Sequence, residues 1–214
     1  MNVWEQIYTT LLEMRAPQVV TAVAPWEQRV LLVLALSVTF LVLVEDWRPN
    51  LLAWAGVGVA SALLLVTVLP VSWAVSRAVA AGMDGSLLWL GARRWPVRRL
   101  LRPGSGLWVR IPVLAVALLV AWQVHTYVHL LTPDALRGDA MLLLFGGGVL
   151  LLVLGGEGIR GPLGLLLLIY SGIFLLTLLR VPTMWFWALT VLDIAVGTVG
   201  GMTTASGGIW ARQP

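Results

Sequence analysis

Long apolar runs, set apart by short charged stretches, constrain this chain more than any other feature. The uncharged runs cover residues 30–44, 51–76, 111–133, 140–156, 161–179 and 181–203, and only the last holds an ionisable group deep inside, Asp193. A helix rises about 1.5 Å per residue, so roughly 20 mainly apolar residues cross the hydrocarbon core of a bilayer. The runs therefore predict an all-α integral membrane protein of about six transmembrane helices. Composition agrees: 59% of residues are hydrophobic and 11% charged, where a soluble domain carries about 25% charged residues.

The 214 residues suit a single membrane domain. On this reading, residues 1–25 form an interfacial N-terminus and 30–76 the first two spans. A basic cytoplasmic segment follows at 77–110, and spans three to six occupy 111–203. The N-terminus does not resemble a signal peptide, because Glu5 and Glu13 precede any apolar core. Pro70 falls inside the second run and predicts a kink or an early end. Trp26, Trp47, Trp54, Trp73, Trp108, Trp185 and Trp187 lie near the proposed span ends, where amphipathic rings favour the interface.

Arginine sets the expected orientation, since the chain has no lysine. Arg93, Arg94, Arg98, Arg99 and Arg102 lie within the 77–110 segment, with Arg77 and Arg110 at its ends. Positive loops stay cytoplasmic, so this segment and both termini are expected inside. Leu87, Leu88, Trp89 and Leu90 then read as a short surface helix beside arginines that meet anionic lipid or a partner. The calculated pI of 10.6 reflects these membrane-flanking charges, not a nucleic-acid site. The absence of cysteine excludes disulfides, thiolate metal sites and cysteine nucleophiles within the chain.

Few residues offer chemistry. Asp193 stands about midway along the last run, where an isolated carboxylate is poorly solvated. Tyr170 lies at similar depth in the preceding run, so a hydrogen bond between them is expected, serving either a proton path or helix packing. His125 and His129, at i and i+4 around Tyr127, share one helix face near Asp134 and Asp139. They read as polar contacts for a quinone, a lipid headgroup or a neighbouring chain. The ligand set for a metal is incomplete, so no metal site or cofactor is assigned. The small-residue pairs Gly56/Ala60, Gly58/Ala62 and Gly197/Gly201, with Gly146 to Gly148, read as close helix-packing faces.

Residues 141–201 carry Arg160, then Ile169-Tyr-Ser-Gly-Ile-Phe174, Val181-Pro182 and Val191-Leu-Asp193. This stretch resembles the second half of component E of hydrogenase-four and formate hydrogenlyase membrane arms. That family is similar to the K subunit of complex I and the C subunit of multi-subunit sodium/proton antiporters. The resemblance matches the family's basic residue to Arg160, its motif glycine to Gly172, its turn to Pro182 and its aspartate to Asp193. It departs where the family places a buried glutamate: here stands Tyr170, and Trp185 and Phe186 follow the turn. The resemblance implies a proton path that is reduced or lost.

Together these readings point to a non-catalytic membrane subunit of an energy-converting redox complex in a bacterial or archaeal cytoplasmic membrane. Asp193 and Tyr170 are its candidate proton contacts. Its expected partners are larger antiporter-like membrane subunits, a peripheral redox module and anionic lipid, and not nucleic acid. The alternatives are a small solute or ion transporter or channel, and a quinone- or pigment-binding subunit using His125 and His129.

Overall fold

The computed structural model describes residues 23–44, 46–93, 107–131, 134–154, 159–179, 181 and 184–210. After a short 3-10 turn they form seven helices: α1 (Glu27–Leu43), α2 (Trp47–Val66), α3 (Val71–Arg93), α4 (Leu107–Leu131), α5 (Ala135–Leu154), α6 (Arg160–Leu178) and α7 (Met184–Trp210). Five of the described helical stretches are long and apolar enough to cross a membrane: those of α1, α2, α5, α6 and α7. Their outward faces carry large apolar side chains such as Leu52, Val153 and Val191. An apolar exterior of this kind fits lipid better than water.

The expected six spans become seven helices because the 51–76 run is two helices. At its end Val68 and Leu69 donate to the Leu65 carbonyl and close α2. Pro70 has no N–H to continue α2, yet its fixed φ suits a helix start, and its carbonyl accepts from Trp73 as α3 begins. The segment expected as a cytoplasmic surface from residue 77 is therefore mostly α3, which packs on α2 and α7. Leu88, expected on a surface helix, is fully buried.

Contacts at the helix ends establish how the helices run. At one end Arg137 of α5 meets Glu27 of α1 at 3.4 Å and also bonds Thr67, just past α2. At the other end Arg110 of α4 donates to the Leu43 carbonyl at 3.4 Å, while Arg160 of α6 and Asn50 of α2 donate to that of Val44. The last carbonyls of a helix lack intrahelical donors, so these side chains cap α1. Sequential helices thus alternate in direction between an Arg137 face and an Arg160 face, and α3 and α7 run parallel.

Glycines allow the closest crossings. A Cβ on Gly148 of α5 would lie 2.9 Å from the Gly164 carbonyl of α6, and one on Gly164 would lie 3.0 Å from that of Gly148. Gly56 faces Ser37, and Gly58 faces Ala81. These faces are thus occupied within the chain, except at Gly146, where a Cβ would meet nothing within 4 Å. Hydroxyls of Thr177, Thr190, Thr198 and Thr204 return to the carbonyl four residues earlier, which satisfies them inside apolar helices. Trp26, Trp47, Trp73, Trp108, Trp185 and Trp187 do stand at helix starts. Trp54 does not: it is 1% exposed and donates to the Ala81 carbonyl at 3.0 Å.

Candidate functional site

Between α3, α6 and α7 lies a buried ionic cluster. Arg77, two turns into α3, pairs through Nη2 with Asp193 Oδ2 of α7. Both are essentially inaccessible, at 2% and 0% exposure. The Arg77 guanidinium also lies over the Tyr170 ring of α6, 5.1 Å from its centroid. The ring in turn meets Trp54 edge-on at 5.4 Å. Tyr170 donates its hydroxyl proton to the Arg77 carbonyl at 3.3 Å.

A second carboxyl joins this pair. Asp84 sits seven residues after Arg77 on α3, about 10 Å along the same helix face. It is also fully buried, and its side chain lies against Gly197, one turn beyond Asp193 on α7. Asp84 is near enough to feel the charges of both Asp193 and Arg77. Asp84 Oδ1 and Oδ2, Asp193 Oδ1, and Arg77 Nε and Nη1 have no hydrogen-bond partner among the described residues. The cluster is thus a charged site with unused donors and acceptors, walled by Trp54 and by helices whose outer faces are apolar.

The α3–α7 crossing holds the cluster together. Gly197 makes room for Asp84, Gly200 lies under Leu88, and Gly201 lies against the backbone of Leu87 and Gly91. Parallel helices come this close only where side chains are absent. The stripe Gly197, Gly200 and Gly201 therefore sets the depth at which Asp193 reaches Arg77.

No family model, curated protein or solved structure matches this chain.

Of the residues singled out by sequence, Asp193 and Tyr170 do lie in one site, but their link differs from the expected one. Tyr170 bonds the Arg77 backbone, and Arg77 supplies the charged partner that Asp193 was expected to lack. Arg77 and Asp84 escaped sequence reading because they were placed in a surface loop. The signal was present: 22 residues from Val71 carry only these two charges before Arg93, and Pro70 opens the stretch. Arg160, matched to the family's basic residue, is 7% exposed and caps α1.

His125 Nδ1 meets the Asp139 carboxylate, a pair bridging α4 and α5 in a half-buried setting. Among the described residues no three His, Asp or Glu groups converge as metal ligands. The His129 side chain, Pro182 and the residues Arg94, Arg98, Arg99 and Arg102 lie outside the described residues. Arg93 is exposed at the end of α3, its guanidinium 5.2 Å from the Trp89 ring.

Proposed function

We propose that this chain is a multi-pass subunit of a larger energy-converting membrane complex, of the complex I or membrane-bound hydrogenase kind. Arg77, Asp84 and Asp193 form its proton site. The carrying observation is the make-up of the cluster: one guanidinium and two carboxyls, all buried. Arg77 balances one carboxylate, and a proton on the other restores neutrality where charge is poorly solvated. A group that gains and loses one proton inside an apolar bundle is what a relay requires. The resemblance of residues 141–201 to hydrogenase component E supports the same reading, with the acids on α3 and α7 taking over from the missing glutamate.

The experiment combines assembly with flux. The tagged chain, purified from its native membrane, is expected to bring larger membrane subunits with it. Asp84→Asn is expected to preserve that assembly and its electron transfer, while coupled proton translocation falls at least tenfold. Full translocation by Asp84→Asn would remove the proton role. Charged groups on α3 also favour a second reading, a transporter acting alone. Recovery of a homogeneous monomer or homodimer that moves an ion in liposomes would decide for it.

The same reading fixes a topology. With all seven helices taken as crossings, Arg48, Arg93, Arg110 and Arg160 lie toward one side of the bilayer. Among the described residues, Arg29 and Arg137 flank the other. The Arg160 face is then cytoplasmic, and residues 23 and 210 lie on opposite sides. Single cysteines discriminate cleanly in a chain without native ones. Asp46→Cys is expected to react with an impermeant maleimide only from the cytoplasmic side, and Trp26→Cys only from outside. Six spans with both termini inside require the reverse at both positions.

A further inference from the structure

A groove separate from the ionic cluster opens between α2 and α3 and runs to the Arg160 face. It has a volume of about 810 Å³. Its walls extend over residues 47–59 of α2 and 78–93 of α3. At about 1.5 Å per residue, the groove is roughly 20 Å long. That length slightly exceeds one leaflet's half of a hydrocarbon core about 30 Å thick.

The two ends of the groove differ in chemistry. Its depth is apolar and lined by Gly58, Gly82 and Gly85, of which Gly58 packs on Ala81 and Gly85 lies beside Trp54. A Cβ placed on Gly82 would meet nothing within 4 Å, so this glycine faces open groove and not a packed neighbour. The mouth carries Arg48 on α2 and Arg93 on α3, each close to a tryptophan of its own helix. Among the described residues no carboxylate pairs with either guanidinium. The nearby Asp46 carboxylate accepts instead from the Arg48 backbone N–H.

We propose that this groove binds one anionic phospholipid, with its phosphate between Arg48 and Arg93 and an acyl chain along the glycine floor. Charge complementarity selects the occupant. Two guanidinium forks at the end of a long apolar trough match a molecule that is an anion at one end and a hydrocarbon at the other. The tryptophans sit where amphipathic rings meet headgroups. A transmembrane helix of a partner would fill the floor but leave both arginines unmatched at its rim. A neutral quinone could accept a hydrogen bond from one of them but brings no charge to balance either.

The test uses the full chain in detergent, titrated with phosphatidylglycerol or phosphatidylcholine and read by native mass spectrometry. Wild type is expected to retain one phosphatidylglycerol and to prefer it over phosphatidylcholine. Arg48→Gln with Arg93→Gln is expected to weaken phosphatidylglycerol about 30-fold and abolish the preference, from about fivefold for each lost charge. Gly82→Leu is expected to displace the lipid by filling the floor while both arginines remain. Both glutamine sites are exposed, so the folded state of that variant serves as the control where Gly82→Leu is unstable. Equal retention of the two lipids by wild type would overturn the proposal. So would undiminished phosphatidylglycerol binding in the double variant, or cross-linking of Gly82→Cys in the membrane to a partner helix occupying the groove.

Discussion

Asp193→Leu is expected to destabilise the folded protein by about 3–5 kcal/mol, because it strips the buried Arg77 guanidinium of its directly paired carboxylate and leaves only Asp84, which makes no hydrogen bond to it, as counter-charge. Arg77→Met is expected to cost a similar amount by stranding Asp193 beside Asp84. The diagnostic variant is the pair. Replacing both with apolar residues removes two desolvation penalties together with their attraction, and such exchanges are often neutral or stabilising. The double variant is therefore expected to recover most of the loss, a coupling of roughly 5 kcal/mol or more, above the usual range of about 0.5–3 kcal/mol. Thermal unfolding of the detergent-solubilised chain, followed by size-exclusion fluorescence, measures all three. A double variant no more stable than the sum of its parts would mean that Arg77 and Asp193 do not hold one another. Asp193→Asn is expected to fall between wild type and Leu, since an amide oxygen still accepts a hydrogen bond but cannot neutralise Arg77.

This pair also shows where sequence reading reached its limit. The helical class was legible because an apolar run needs no knowledge of its neighbours: α1, α5, α6 and α7 fall where hydropathy places them. Asp193 was legible as an oddity, a carboxylate inside such a run. Its partner was not, because Arg77 lies 116 positions earlier and lowers the hydropathy of its own helix. A charge that is satisfied internally and a charge that marks a loop look alike until the fold brings the partner near. The same logic hid Asp84. Trp54 erred in the opposite direction: a tryptophan near a run's end suggests an interface, yet the Ala81 carbonyl and the Tyr170 ring draw this one inside. Among the glycines, the packing role was readable, but whether they served this chain or a partner depended on α3 being a helix against α7.

Gly91→Val is expected to show how strongly that helix pair depends on glycine, with a loss of about 3 kcal/mol, at the upper end for overpacking. A Cβ on Gly91 falls on the Gly201 carbonyl oxygen, and one on Gly201 lies 2.8 Å from that of Leu87. Both obstacles are backbone, so no rotamer change relieves them and the helices must separate. Separation at this end also loosens Leu88 from Gly200 and the Asp84 carboxyl from Gly197, and so reaches the ionic cluster. The control lies on the same helix. A methyl group on Gly82 would meet nothing within 4 Å, so Gly82→Ala should add stability, up to about 1 kcal/mol from helix propensity. Paired melting curves for Gly82→Ala and Gly91→Val therefore separate intrinsic glycine effects from the crossing itself. Opposite signs are expected. A Gly91→Val protein as stable as wild type would mean that α3 and α7 do not meet at this distance, and the Arg77–Asp193 pair would lose the scaffold that sets its depth.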